Sequence, residues 1–527
     1  MRQWKKIQAV LYAEEFSGGL TSRTQCQKCA SRFNRPTGKE SRVRYLLNVF
    51  YLFLLAVFAP WLCYACWRHG KYRRGLLEKF LGRVPARTGQ RPCIWFHAVS
   101  AGEVNLLKSL ADRIEQEFPA WECVISTTTQ TGFEMARRRH PSHTVFFCPL
   151  DFSWSVEQAM RRVRPDVLVL LELELWPNLI GAAKRHGAKT AVVNARLSDR
   201  SFRGYRRVGW LVRHVLQRVD VITAQNKVYA GRFRQLGASS DRIHVTGSLK
   251  FDGAQTDRNN IATQRLARLA GIGPRDVVFL AGSTQAPEEA LALQTYLALV
   301  NEHPQLRLIL VPRHPERFSE VAKLLSGSGR AWQRRSRLES TGGNSLARIL
   351  LVDTMGELAA WWGTARIAYV GGSMGSREGQ NMIEPAAYSA AVSFGPRTAN
   401  FRDVVELLLD HEAGVVVRNG AELEGFVRRC LEDPQGTVEL GRRAQRLVTQ
   451  QQGAADQTVQ HLARLVGNSR SNQSSVPQAS NTSSASPSRI ESSSAVKACS
   501  ASKPVDDARV RTVASVMPAG RNSEVAE

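Results

Sequence analysis

Ile94-Trp-Phe-His-Ala-Val-Ser-Ala-Gly-Glu103 decides the fold. An apolar run with the length of a buried parallel strand breaks at Ser100-Ala-Gly and becomes a helix opening on Glu103. Glu103 therefore stands at the carboxyl end of a strand and the amino end of a helix, where ligands collect in open α/β sheets. A carboxylate there can take a proton from a substrate hydroxyl, while a capping Glu in the first helical turn is the plainer alternative.

Outward from this stretch the same alternation repeats. Strand-like runs at Cys93–Ala98, Glu122–Ser126, Thr144–Phe147, Val167–Leu173, Thr190–Asn194, Val219–Ala224 and Ile243–Thr246 are separated by helical stretches such as Val104–Phe118 and Phe133–Arg139. After a linker over 251–275 a second series begins, at Val277–Ala281, Leu306–Val311, Arg348–Val352, Ile367–Gly371, Ala391–Phe394 and Gly414–Val417. Strands alternating with helices predict parallel sheets covered on both faces. Two such domains, over 68–250 and 276–466, leave a cleft between them, a common place for a ligand.

The chain has 527 residues and a net charge of +26, from 72 Lys and Arg against 46 Asp and Glu. That excess asks for an anionic partner, and no zinc-ligand spacing, RNA-binding aromatic signature or basic zipper points to nucleic acid. Nine cysteines are scattered and odd in number, as in a reducing compartment. Cys26 and Cys29 form a lone C-x-x-C without the second pair that a metal site needs.

No charged residue lies between Arg44 and Arg68. The apolar run within 45–67 has the roughly 20 residues of a membrane anchor, and Pro60 leaves a monotopic insertion open. Arg68, Lys71, Arg73, Arg74 and Lys79 favour the cytoplasmic side for the downstream domains, which points to the inner membrane. Residues 1–44 read as a poorly ordered basic extension. Residues 467–527, rich in Ser and poor in aromatics, read as a disordered tail.

Further candidate site residues close other strands. Glu172 and Glu174 are two apart, so on a strand they share a face, and two carboxylates there need a solvated cleft or partners. One of them could instead cap the helix after Pro177. Val311-Pro-Arg313-His314-Pro-Glu316 offers cationic and amide donors suited to a phosphate. Asp353-Thr-Met355-Gly356-Glu357 comes after another strand. Gly371-Gly-Ser-Met-Gly-Ser-Arg-Glu-Gly-Gln380-Asn381-Met-Ile-Glu384 lets backbone approach a ligand closely and ends on a carboxylate for sugar hydroxyls.

Taken together, His97-Ala-Val-Ser-Ala-Gly-Glu103, Glu172-Leu-Glu-Leu-Trp-Pro-Asn178, Val193-Asn-Ala-Arg-Leu-Ser198, Gly247-Ser-Leu-Lys250-Phe-Asp252, Pro312-Arg-His314, Met355-Gly-Glu357 and Asn381-Met-Ile-Glu384-Pro385 resemble the Kdo (3-deoxy-D-manno-oct-2-ulosonic acid) transferases of lipopolysaccharide synthesis. The resemblance runs from about Lys71 to Val417 and implies a GT-B fold, two Rossmann-like domains with an N-terminal membrane anchor helix. It implies inverting transfer of Kdo from CMP-Kdo to a lipid A precursor, without a metal, at the cytoplasmic leaflet of the inner membrane. Glu103 is then the general base, and Glu174 and Lys250 help stabilise the transition state. Pro312, Arg313, Met355, Gly356, Glu357, Asn381, Met382, Ile383 and Glu384 form the CMP-binding set. Three positions depart from the family pattern: Gln380 stands where His is frequent, Leu173 where Thr is common, and Ala101 where Val is usual. The alternatives are a GT-B transferase using a UDP-sugar and a basic, membrane-tethered binding protein.

Overall fold

The computed structural model describes residues 38–69, 74–344 and 346–471. The first sheet is built from β1 (Cys93–His97), β2 (Glu122–Thr127), β3 (Thr144–Phe147), β4 (Val167–Leu171), β5 (Lys189–Ala195), β6 (Val221–Ala224) and β7 (Ile243–Val245), in the order β3-β2-β1-β4-β5-β6-β7. The second contains β8 (Val277–Thr284), β9 (Leu306–Pro312), β10 (Trp332–Arg334), β11 (Ile349–Leu351), β12 (Ile367–Val370), β13 (Ala391–Phe394) and β14 (Val415–Val416), in the order β10-β11-β9-β8-β12-β13-β14. All pairings are parallel. Two doubly wound α/β lobes result, the architecture expected of GT-B.

Strand sequences explain why both faces are covered. Along β1, Cys93 and Trp95 enter one core and Ile94 and Phe96 the other, as a two-residue repeat demands. Val278 and Leu280 of β8 separate from Phe279 and Ala281 in the same way. The order reverses beside β1, which lies between β2 and β4, and beside β8, which lies between β9 and β12. Crevices at the carboxyl ends of strands form at such switch points.

Three expected boundaries move. Residues 38–44, placed in the extension, begin a 32-residue helix over Gly38–His69 with Pro60 inside it. Among the described residues no helix is long and apolar enough to cross a membrane, so the anchor expected over 45–67 is not confirmed as a spanning helix. The helix is fastened to the first lobe: Asn48 Nδ2 donates to Ser153 Oγ at 2.7 Å, Ser153 N donates to Asn48 Oδ1 at 3.0 Å, and Tyr51 donates to Asp151 at 3.1 Å. Leu46, Val49, Leu52, Phe53 and Val57 stay exposed.

At the other end, the helix Ala454–Ser471 continues past the expected boundary at 466. It also leaves the second lobe. Ala454, Ala455, Val459, Leu462 and Val466 bury themselves against the first lobe's Ile94, Phe96 and Leu107. The stretch 251–275, expected as a linker, joins the second lobe instead, with Phe251 and Leu266 in its core. Cys26, Cys29 and residues 472–527 of the Ser-rich tail lie outside the described residues.

The chain thus crosses between lobes twice, near 250 and near 453, and one side chain ties the crossings. Asp252 accepts from the backbone N–H groups of Gly453 (2.7 Å), Ala454 (3.3 Å) and Ala455, capping the last helix. Gln452 Nε2 donates to the carbonyls of Phe251 (3.1 Å) and Ala254 (2.9 Å).

Candidate active site

Between the lobes, at the carboxyl ends of both sheets, lies a cavity of about 1190 Å³. Glu103, Glu172, Arg196 and Lys250 line it from the first lobe. Ser283, Pro312, Arg313, Met355, Gly356, Gln380, Asn381 and Glu384 line it from the second.

Glu103 does two things at once. Its helix, Ala101–Glu117, is capped by Ser100, whose Oγ accepts from Glu103 N at 3.4 Å. The Glu103 carboxylate answers by accepting from Val99 N at 2.7 Å and from Ser100 Oγ at 3.1 Å. This reciprocal cap satisfies helix-start donors and holds the carboxylate, 5 % exposed, at the cavity wall. The capping role and the place in the cavity coexist. His97, from the same motif, is a buried strut: its Nδ1 meets Ser126 Oγ at 3.0 Å, and burial pushes it down to about 4, so the ring stays neutral.

The expectation that Glu172 and Glu174 share a strand face is corrected. β4 ends at Leu171, and Glu172 adopts a left-handed φ of 57°, which breaks the two-residue alternation. Glu172 then lines the cavity, whereas Glu174, 8 % exposed, turns into the first lobe, where its charge raises Tyr205 and Cys148 beyond what burial does. Asp151 caps the next helix, Pro177–Arg185, accepting from Asn178 N (3.0 Å) and Leu179 N (2.8 Å). Neither glutamate fills that role.

Lys250 lies in the cavity with its Nζ 5.5 Å from the Phe401 ring. Burial lowers its ammonium below the ordinary lysine range, the Arg196 charge lowers it further, and Glu172 and Asp403 oppose both. Among the described residues neither Lys250, Arg313 nor Arg139 forms an ion pair, and all three reach the cavity.

In the second lobe the set expected to bind CMP divides. Pro312, Arg313, Met355, Gly356, Asn381 and Glu384 line the cavity. Gly356, at φ 90°, makes the turn that leaves Met355 58 % exposed. Glu357 does not reach the cavity: it takes Arg335 in a two-pronged ion pair (2.6 and 2.8 Å) and Thr354 Oγ1 at 2.6 Å. Burial would raise Glu357, but these donors outweigh it and hold it below the usual carboxylate range. Met382 and Ile383 are fully buried core residues, because the short helix Ile383–Ala387 faces inward. Asn381 Nδ2 donates to Glu384 Oε1 at 3.1 Å. Burial raises Glu384, against that bond and the nearby charges of Arg313 and Arg139.

The Gly-rich stretch holds a surprise. Its backbone N–H groups at Gly372 (2.7 Å), Ser373 (2.9 Å) and Met374 (2.9 Å) all donate to Glu288, which also accepts from Gln285 N (2.9 Å) and Tyr369 Oη (2.9 Å). These three amides are spent on a buried carboxylate and are not free to bind a ligand. Sequence reasoning misses Glu288, whose partners in the Gly-rich stretch are more than 80 residues away. It misses Arg196, Ser283 and Asn400 as lining residues as well. For Arg196 and Ser283 the signal is position alone, at or just beyond the carboxyl end of a strand; Asn400, six residues after β13, has none.

Residues 73–253 match the family model described as 3-deoxy-D-manno-octulosonic-acid transferase (kdotransferase). Over 389 residues the chain is 31% identical to the 3-deoxy-D-manno-octulosonic acid transferase of Haemophilus influenzae, covering 73% of this chain and 90% of that protein. Against the protein of that name from Bordetella pertussis it is 31% identical over 441 residues, covering 79% and 99%. A crystal structure of the C-terminal CMP-Kdo binding domain of a protein from Acinetobacter baumannii is 29% identical, covers 36% of this chain and 97% of that one, and gives a TM-score of 0.33. The chain belongs to the Kdo transferase family and is a glycosyltransferase.

Proposed function

We infer that this enzyme transfers Kdo from CMP-Kdo to a hydroxyl of a lipid A precursor, inverting the anomeric carbon, with Glu103 as general base. One observation carries the assignment of roles: a carboxylate fixed at a helix start by Val99 and Ser100 faces a cavity that also receives Arg313, Asn381 and Glu384. The relatives' names supply the sugar.

In the step proposed, the acceptor oxygen bonds to the anomeric carbon and its proton passes to Glu103. The bond from that carbon to the CMP phosphate oxygen breaks, and its electron pair leaves with CMP. Charge then grows on the departing phosphate, and fixed cations lower the barrier most where charge develops. Arg313 and Lys250 are cavity cations that meet this need, neither having an ion pair among the described residues. Glu172, rather than Glu174, is the carboxylate of the second motif that lines the cavity near Lys250. No metal is assigned a part in the reaction.

The same reading puts the enzyme at the cytoplasmic face of the inner membrane. The exposed Leu46, Val49, Phe53 and Val57 of the first helix would enter the lipid interface, and the basic excess would meet anionic headgroups and the acceptor's phosphates.

The test incubates the full-length protein with CMP-Kdo and lipid A precursor and weighs the product by mass spectrometry. Addition of Kdo, suppressed by CMP and not by UDP, is the expected result. Suppression by UDP alone would move the assignment to a UDP-sugar. Flotation with anionic vesicles, and not with neutral ones, checks the membrane part.

A further inference from the structure

Beyond the groups assigned above, one polar cluster bridges the lobes on the cavity's edge. Asp403 belongs to the first turn of the helix Arg402–Asp410 in the second lobe. Its carboxylate reaches across to the first lobe, lying 3.2 Å from Arg196 Nε and accepting from Tyr229 Oη at 3.2 Å. Phe401, two residues earlier, carries the Lys250 ammonium over its ring. One short segment of the second lobe thus touches two first-lobe cations of the cavity, Arg196 and Lys250.

That segment rests on the Gly-rich stretch. Gly395 N donates to Ser373 Oγ (2.7 Å) and Arg397 N to the Ser373 carbonyl (2.9 Å). Asn400 N donates to the Glu378 carbonyl (3.0 Å), and Asn400 Nδ2 to the Arg377 carbonyl (3.0 Å). A continuous set of bonds therefore runs from the loop carrying Gln380 and Asn381, through 395–401, to Asp403. On the far side the cations are held just as firmly. Arg196 comes two residues after Asn194, whose Oδ1 accepts from Leu249 N at 3.1 Å, one residue before Lys250.

We propose that Asp403 is a positioning residue: it fastens Arg196, and with Phe401 also Lys250, to the donor-binding loop, so that both cations face the leaving phosphate only when the lobes are shut. The proposal rests on the donor assignment above. It differs from a catalytic role, since Asp403 is not among the residues lining the cavity and acts through its partners.

The experiment compares wild type, Asp403→Asn, Asp403→Glu and Arg196→Lys as full-length proteins. It measures kcat and KM for CMP-Kdo from pH 6 to 9.5, CMP affinity by calorimetry, and amide hydrogen exchange over 248–254. Losing a hydrogen bond between charged groups costs about 10- to 100-fold; Asp403→Asn is expected to lose that much kcat while CMP affinity changes less than about twofold. The groups facing Lys250 are Arg196, Glu172 and Asp403. Removing one of its two opposing carboxylates lets Lys250 lose its proton at lower pH, so the alkaline limb moves down. Asp403→Glu is expected to restore that limb, which a merely structural loss would not do. Arg196→Lys, which keeps the charge but not the reach of Nε, is expected to copy the kcat loss. An Asp403→Asn enzyme with wild-type kcat and an unmoved limb overturns the proposal, as does a loss of CMP affinity equal to the loss of kcat. If wild type itself transfers no Kdo, the donor assignment falls separately. The bridge is then judged by exchange over 248–254: faster in Asp403→Asn upholds it, and unchanged exchange ends it.

Discussion

Ser100 and Glu103 hold each other: the hydroxyl accepts from the Glu103 amide at 3.4 Å and donates to its carboxylate at 3.1 Å. Gln can close the same box, since it accepts through its amide oxygen. Glu103→Gln is therefore expected to melt within a degree or two of wild type while losing about 10²- to 10⁴-fold in kcat, the usual worth of a general base. Glu103→Ala is expected to lose activity and a further 0.5–2 kcal/mol or so of stability with the cap. Paired thermal melts and product assays decide it, and a Glu103→Gln enzyme turning over at the wild-type rate would remove Glu103 from the mechanism.

Lys250 supplies a pH prediction. Burial and Arg196 depress its ammonium, and only the charged form can face a phosphate. Activity should therefore decline on the alkaline side at lower pH than an ordinary lysine would allow. Lys250→Arg, whose guanidinium keeps its proton, is expected to be slower but to lack that decline. A pH profile of kcat/KM for the two proteins tests this.

Glu288 should matter without touching substrate. Glu288→Gln replaces one of two oxygens that together accept five hydrogen bonds by a donor. Buried N–H groups then face an N–H, at a cost of about 1–3 kcal/mol for a donor left unsatisfied. Weaker CMP binding with a lowered urea midpoint is the expected pair of results.

Asp151 makes stability itself pH-dependent. Burial pushes its carboxyl up to about 7, against the bonds from Asn178, Leu179 and Tyr51. Between the unfolded value of 3.8 and about 7, the folded protein binds a proton that the unfolded chain has lost. Asp151's contribution to stability therefore falls as pH rises through that window. Urea titrations at pH 5 and pH 8 should show a smaller drop for Asp151→Asn than for wild type.

Much of this is legible in the sequence because apolar runs bounded by Gly, Ser and charged residues mark buried parallel strands. Cys93–His97 and Thr144–Phe147 fall where alternation puts them. β10, Trp332–Arg334, escapes because a three-residue, half-buried edge strand has no apolar run to betray it. Glu174 is misplaced because nothing in Leu-Glu-Leu-Glu announces a left-handed residue at Glu172. Glu357 looks like a ligand-binding group because Arg335, its partner 22 residues earlier, belongs to another turn. Position in a motif is readable; the partner a carboxylate finds across the fold is not.

The fastening of both chain crossings at Asp252 has a mechanical consequence. Two independent strings between bodies allow sliding and shear, but strings knotted to each other leave chiefly a swing about the knot. In the reaction proposed above, each turnover admits a bulky lipid sugar and expels a nucleotide. That traffic is then served by a jaw with one fixed pin, whose opening parts Arg196 from Asp403 while the pin stays in place.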